Sequence, residues 1–153
     1  MTRKLRNSVT TNPWRIRKRV LPQHTDLAGV VWHGTHIAWL EEARVEALVA
    51  AGLSYSAMTE LGIEMPVVSL RIDYRRSLRH GDLVDLESIC GDQRGVRWPW
   101  CSRLLCGDDL IAEAQVELVM IGMDGNERRV LRRPPSPLHE VMNRLIGGPP
   151  SHD

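Results

Sequence analysis

The chain has 153 residues, of which 42% are hydrophobic, so it is long enough for one domain with a sizeable core. Its formal net charge of +1 gives no strong field to attract nucleic acid or an anionic membrane. No apolar run reaches the roughly 20 residues of a membrane-spanning helix, and no apolar stretch follows the basic start as in a secretory signal.

Three cysteines, Cys90, Cys101 and Cys106, show no paired metal-binding spacing. Their odd number indicates reduced thiols, which are typical of a cytoplasmic protein. We expect one domain over residues 13–146, between flexible tails at residues 1–12 and 147–153.

The first part of the chain predicts one strand and two helices. Apolar and basic residues alternate over residues 14–21, which is typical of a strand, and Pro22 ends it. A long helix is expected over residues 34–51, followed by a short helix over residues 54–61. Apolar residues cover most of the long helix, so we expect it to be buried on several sides. Its main apolar stripe contains Ile37, Leu40, Ala43, Ala47, Leu48 and Ala51.

From residue 68 onward the apolar period changes to two, which predicts strands joined by short turns. The expected strands cover residues 68–75, 84–91, 96–106, 112–120 and 128–131, with a hairpin turn at residues 123–126. Pro99 favours an edge position or a bulge for the third of these strands. A helix over residues 138–146 closes the domain.

This order of elements predicts an α+β fold. One helix cannot cover a broad sheet and be buried itself unless the sheet curves around it. We therefore expect a long central helix wrapped by a curved antiparallel sheet of five or six strands. Such a protomer leaves a sheet edge exposed, so self-association is expected.

Asp26 lies in the loop that leads into the long helix. One interpretation is a plain turn residue, because Asp followed by Ala and Gly is common in turns. The other is chemical, because free amides at a helix start can hold an oxyanion while a carboxylate attacks or activates water. The loop is rich in apolar residues, so we expect part of it, and the carboxylate, to be buried.

Three histidines near this acid, His24, His33 and His36, raise the possibility of a metal site. Their spacing is not that of helical zinc ligands, and no thiolate joins them, so we favour a site without metal. His33 fits a helix start or a pocket wall better.

Arg44 falls within the apolar stripe of the long helix. A buried arginine needs a partner, and Glu41 is within reach, so we favour an ion pair that fixes the helix. The alternative is that Glu41 or Glu42 replaces Asp26 as the catalytic carboxylate. An arginine neighbour disfavours this role because it keeps the carboxylate occupied.

Two groups of arginines lie near strand ends, and each predicts either a solvated basic face or a phosphate clamp. Few aromatic residues and many acids argue against nucleic acid. Trp98 and Trp100 share one strand face and are expected in the core. The arginine groups are Arg71, Arg75, Arg76 and Arg79, and Arg128, Arg129, Arg132 and Arg133.

The segment TDLAGVVWH at residues 25–33, followed by WLEEAR at residues 39–44, resembles the 4-hydroxybenzoyl-CoA thioesterase family of acyl-CoA thioesterases. The Tol-Pal-associated thioesterases share this signature. The resemblance covers residues 14–135 and is most specific in residues 24–46. It implies the hotdog fold, the architecture expected above.

The resemblance also implies the roles of individual residues. Asp26 matches the catalytic carboxylate, and the amide of His33 matches the group that polarises the thioester carbonyl. No metal or other cofactor is implied, since CoA is part of the substrate. Subunits pair as a homodimer or homotetramer with sites at their interface. The residues expected to bind substrate are Trp32, Gly34, Arg75, Arg76 and Arg79, the arginines at the CoA phosphates.

The acyl group is a separate question. Trp32 and Trp39 flank the expected site and could stack on a flat ring, which favours an aryl-CoA. Within the family, this points to 1,4-dihydroxy-2-naphthoyl-CoA hydrolysis in phylloquinone and menaquinone synthesis. The alternatives are a short-chain aliphatic acyl-CoA substrate, a non-catalytic acyl-CoA-binding protein, and a partner of a membrane-associated complex.

Overall fold

A long helix lying across one face of an antiparallel sheet forms the core of this protein. The computed structural model describes residues 12–151. The strands are β1 (Trp14–Arg19), β2 (Val67–Tyr74), β3 (Leu83–Cys90), β4 (Arg97–Cys106), β5 (Asp109–Val119), β6 (Ile121–Asp124) and β7 (Glu127–Val130). The helices are α1 (His33–Ala50), α2 (Tyr55–Glu60) and α3 (Ser136–Gly147), and a 3₁₀ turn spans Pro22–His24.

Five strands form the main sheet in the order β1-β3-β4-β5-β2, with every neighbouring pair antiparallel. The strands β6 and β7 form a separate hairpin whose turn contains Gly125 at a φ of +64°. The expected α+β hotdog architecture, with a five-stranded main sheet, is therefore confirmed.

Alternation along the central strands separates a core face from a charged face. In β3, Val84 and Leu86 are buried against α1, whereas Asp85 and Glu87 point outward. Outward residues pair across strands, as in the 2.8 Å contact between Arg17 and Asp85. Cross-strand pairs of opposite charge suit a solvated sheet face. Trp98 and Trp100 lie in the core, as expected.

Helix α3 is longer than expected at both ends, since it runs from Ser136 to Gly147 rather than over residues 138–146. Pro137 is accommodated in its first turn, where a helix needs no backbone N–H donor. Gly147, which was expected in the C-terminal tail, therefore belongs to α3. Residues 1–11 and 152–153 lie outside the described residues, so the expectation of flexible tails is not tested there. No helix within residues 12–151 is long and apolar enough to cross a membrane.

Pro99 does not mark an edge strand, so that prediction is wrong. The strand β4 lies between β3 and β5, and its register shift falls between Leu104 and Leu105. The carbonyl of Pro99 accepts a hydrogen bond from the amide of Gly91, just beyond the end of β3. The proline therefore lies opposite the end of β3, where its lack of an N–H costs the sheet no hydrogen bond within that strand.

An apolar surface of the protomer remains uncovered. The inward-facing side of β2 is exposed at Val68, Leu70 and Tyr74, because α1 packs over the β1 and β3 side of the sheet. On α1, Ile37 and Val49 are also exposed, which corrects the expectation that this helix is buried on several sides. We call Val68, Leu70 and Tyr74 the open β2 face.

Candidate active site

The loop before α1 is held at both of its ends. Thr25 and Val31 form a β-bridge, and the amide of Val31 donates to the carbonyl of Leu78 at 2.9 Å. Val30 forms a second bridge with Arg79. Within the loop, Gly29 takes a φ of +76°, a conformation that favours glycine. These backbone contacts therefore give the loop a defined conformation.

Asp26 uses this loop to orient its carboxylate. Its Oδ1 accepts hydrogen bonds from the amides of Ala28 at 2.9 Å and Val30 at 3.3 Å. Its Oδ2 has no hydrogen-bond partner within residues 12–151. One oxygen is thus fixed by the backbone and the other is available to react.

The expectation of a buried carboxylate is wrong for the single protomer. Asp26 is exposed, and so are Leu27 and Trp32, whereas Val31 alone of the loop's apolar side chains is buried. The physical reason is that the loop projects beyond the protomer's own core. Exposed apolar side chains of this kind are typical of a site that binds a partner or a ligand.

The start of α1 supplies free donors beside this loop. Trp32 is the residue before the first turn, and its side chain does not cap the helix. In the described part of the chain, the amides of His33 and Gly34 have no acceptor. These groups carry the positive end of the helix dipole, so they can accept a developing negative charge. The position of His33 at the helix start is as predicted.

The helix start is also anchored from a distant strand. The hydroxyl of Tyr74, in β2, donates a 3.1 Å hydrogen bond to the carbonyl of His33. Tyr74 is exposed overall, but partial burial raises the pKa of its hydroxyl, which therefore keeps its proton and remains a donor. Nothing in the local sequence signals this contact, which joins residues 41 positions apart, so the role of Tyr74 was not predicted.

The histidines serve the structure in different ways. The Nδ1 of His24 accepts from the amide of Leu21 at 3.0 Å, and its ring packs edge-on against Trp39. His36 is buried between Trp39 and Tyr74. Among residues 12–151, no three potential ligands come together as a metal site would require. Trp39 is buried by these rings, so the expectation that it stacks on substrate is wrong.

The three arginines expected at CoA differ in their contacts. Arg75 pairs with Glu113 and Arg76 with Asp109, each at 3.2 Å. Arg79 has no carboxylate partner for its guanidinium within the described residues, and its backbone adjoins the Asp26 loop through Val30. Of the three, Arg79 is the cation most available to a phosphate.

Arg44 does not form the ion pair with Glu41 that the sequence favoured. Inside the described ranges it makes no hydrogen bond or ion pair, although the charge of Glu41 lies close enough to oppose the lowering of its pKa by burial. Both residues line a cavity of about 50 Å³ with Tyr55 and Met58. Glu41 and Glu42 are exposed and lie about two turns into α1, away from the free amides of its start. The carboxylate of Glu42 accepts a 3.0 Å hydrogen bond from Nζ of Lys18, and within residues 12–151 backbone amides hold neither glutamate as they hold Asp26.

Burial lowers the pKa of His36, with a smaller contribution in the same direction from His33, and the carbonyls of Trp32 and His33 oppose the shift. The unfolded chain therefore binds a proton near pH 6.5 that the folded chain resists. We expect the free energy of unfolding to fall as the pH drops below about 6.5, by up to about 1.4 kcal/mol per pH unit from this residue.

Denaturant unfolding at pH 5, 6 and 7.5 measures this effect, with the variant His36→Phe as the comparison. The variant should lose less stability than the wild type between pH 7.5 and pH 5, because the phenyl ring has no nitrogen that can be protonated. Equal losses in the two proteins would show that His36 is not the source.

Comparison with known proteins gives a consistent assignment. The Thioesterase-like superfamily matches residues 20–145. A Synechocystis protein named as an esterase is 33% identical over 138 residues, which cover 90% of this chain and 83% of that protein. The acyl-CoA thioester hydrolase YbgC of Escherichia coli is 26% identical over 114 residues, or 74% of this chain and 85% of the hydrolase.

Among solved structures, the DHNA-CoA thioesterase of Staphylococcus aureus superposes with a TM-score of 0.73 at 25% identity. The superposition covers 84% of this chain and 87% of that structure. The resemblance is thus confirmed for the superfamily and the hotdog fold, while placement in the 4-hydroxybenzoyl-CoA family stays a prediction. With a matching fold and a match over most of its length, the chain belongs to the thioesterase-like superfamily.

Proposed function

We propose that this protein hydrolyses an acyl-CoA thioester to the free acid and CoA. The observation that carries the proposal is the pairing of an oriented carboxylate, Asp26, with the free amides of His33 and Gly34 at the start of α1. These are the two elements that acyl transfer needs, a nucleophile or base and an oxyanion site.

The reaction uses only these groups and water. The free Oδ2 of Asp26 attacks the thioester carbonyl or removes a proton from the attacking water. Negative charge then builds on the carbonyl oxygen, where the helix-start amides stabilise it. When the C–S bond breaks, sulfur leaves with the electron pair. If Asp26 acts as the base, the proton that it takes from water passes to the sulfur to give the CoA thiol. If Asp26 attacks directly, water then hydrolyses the acyl–aspartate anhydride, which releases the acid, restores the carboxylate and supplies the proton for the CoA thiol. No metal or further cofactor enters the proposal.

The positively charged arginines near the Asp26 loop indicate where the phosphates of CoA would bind. Arg79 adjoins the Asp26 loop and holds no carboxylate partner in the described residues, so it is our first choice for the CoA phosphates. Arg75 and Arg76 would have to exchange Glu113 and Asp109 for phosphate, which their exposed positions permit.

A second copy of the chain completes the site in this proposal. The open β2 face is apolar, and β2 is an edge strand with unpaired backbone groups. Pairing of two such edges in a homodimer would cover this face and the exposed loop around Leu27. A homotetramer would add a further interface between such dimers. We place the protein in the cytoplasm, in keeping with its three free cysteines.

For the acyl group we favour an aryl thioester, with 1,4-dihydroxy-2-naphthoyl-CoA as the most specific candidate. The support is the exposed indole of Trp32 directly before the free amides. A naphthoyl substrate would place the protein in phylloquinone or menaquinone synthesis. The alternative substrates are short-chain aliphatic acyl-CoA esters, and the alternative function is acyl-CoA binding without turnover.

A panel of acyl-CoA esters with a thiol-detecting reagent tests the proposal. We expect release of free CoA, faster from benzoyl-CoA and 1,4-dihydroxy-2-naphthoyl-CoA than from butyryl-CoA. Faster release from butyryl-CoA would favour the aliphatic alternative. Tight binding without release, measured by calorimetry on the same esters, would identify a carrier. Neither binding nor release would contradict the proposal.

A further inference from the structure

Trp32 differs from the other tryptophans in its exposure to solvent. Four of the five, Trp14, Trp39, Trp98 and Trp100, are buried in the core. Trp32 is 47% exposed although its large ring would gain most from burial. Because the protein keeps this ring in solvent beside the free amides of α1, its position calls for an explanation outside the protomer's own packing.

The ring of Trp32 lies against the backbone of Gly34. A Cβ atom placed on Gly34 would overlap the six-membered ring of the Trp32 indole. Gly34 lies within α1 and does not take a positive φ, so the backbone conformation does not require glycine here. Glycine within a helix is less stable than alanine by up to about 1 kcal/mol. A side chain at this position would therefore displace the indole from the backbone of Gly34.

This contact fixes where the indole stands. Trp32 directly precedes His33, whose ring meets the indole edge-on with centroids 5.4 Å apart. One side of the indole rests on Gly34 and its edge meets His33, while nearly half of its surface stays open to solvent. A carbonyl held by the amides of His33 and Gly34 would bring its acyl group next to this open side.

We infer that Trp32, seated on Gly34, is the wall against which a planar, conjugated acyl group stacks when its thioester carbonyl meets the helix start. The inference rests on the proposed function and deepens it. It makes Gly34 a specificity-determining residue, because the absence of a side chain there lets the indole lie flat. Flat acyl groups gain the stacking contact, and flexible aliphatic groups gain little of it.

Four proteins test this pairing: the wild type, Gly34→Ala, Trp32→Ala and the double variant. The measured quantity is the ratio of kcat/KM for benzoyl-CoA to kcat/KM for hexanoyl-CoA. We expect each single variant to lower this ratio about three- to tenfold, since aromatic stacking is of that size. The double variant should lower it no further than Trp32→Ala alone, because both changes remove the same contact. Trp32→Phe should restore part of the ratio.

The outcomes separate this inference from the proposed function. An unchanged ratio in Gly34→Ala, or additive losses in the double variant, would overturn the role of the pair while leaving thioester hydrolysis intact. Equal losses on both substrates would also overturn it, because they would indicate a displaced helix start. If the wild type hydrolyses neither ester, the proposed function fails. In that case, calorimetry on the same four proteins measures the ratio of the affinities for benzoyl-CoA and hexanoyl-CoA, and the same changes in this ratio are expected. A wild type that binds neither ester would overturn the inference as well.

Discussion

Asp26→Asn is expected to lower kcat for acyl-CoA hydrolysis by at least about 10³-fold without unfolding the protein. The amide of asparagine is neither a useful nucleophile nor a base at neutral pH. Its oxygen can still accept the hydrogen bonds that Oδ1 receives from Ala28 and Val30, so the loop should keep its shape. Release of CoA measures the first effect, and thermal unfolding measures the second.

Two further variants sharpen this test. Asp92→Asn removes the charge of an exposed aspartate in the turn between β3 and β4 and should leave kcat near that of the wild type. Asp26→Ala should be inactive and also less stable, by about 1–2 kcal/mol, because two loop amides lose their acceptor. Turnover of Asp26→Asn near the wild-type rate would remove the carboxylate from the mechanism.

The parts of the fold that sequence could predict are those encoded by local periodicity. Alternation with a period of two identified β3 and β5, and the run of apolar residues at helical spacing identified α1. Turn chemistry identified the β6–β7 hairpin, where Gly125 takes the positive φ that such a turn needs. In each case the pattern lies within about 20 neighbouring residues.

The failures concern partners far away in sequence. Whether Pro99 sits at an edge depends on where β3 ends, which alternation in β4 cannot reveal. The place of Arg44 depends on the cavity built by α2 and the sheet, and not only on Glu41 one turn away. Ile37 was expected inside because it is apolar, yet periodicity does not distinguish a core from an uncovered interface.

The candidate site divides in the same way. The junction of Asp26 and the helix start is local, so the sequence could predict both. The anchor from Tyr74 to His33 and the bridge from Val30 to Arg79 join segments more than 40 residues apart. The seating of Trp32 on Gly34 is local, but it depends on a side-chain direction that no residue pattern specifies.

Leu70→Asp is expected to separate the proposed dimer into folded protomers and to lower activity with it. Leu70 is 42% exposed on the open β2 face, so a charge there is tolerated while the protomer stands alone. Burying the new carboxylate against a second copy would cost about 3 kcal/mol or more, which weakens association by more than about a hundredfold. Activity should fall because the Asp26 loop and Leu27 lose the surface that covers them.

Light scattering coupled to size exclusion measures the mass, and CoA release on the same fractions measures activity. Ile89→Asp is the matched control. Ile89 is similarly exposed, at 38%, but it lies on β3, which is flanked by β1 and β4 and is remote from the β2 edge. We expect this control to keep the wild-type mass and rate. A Leu70→Asp protein that stays dimeric would place the interface elsewhere. A fully active monomer would show that one protomer holds a complete site, and the exposed loop would then need no second copy to cover it.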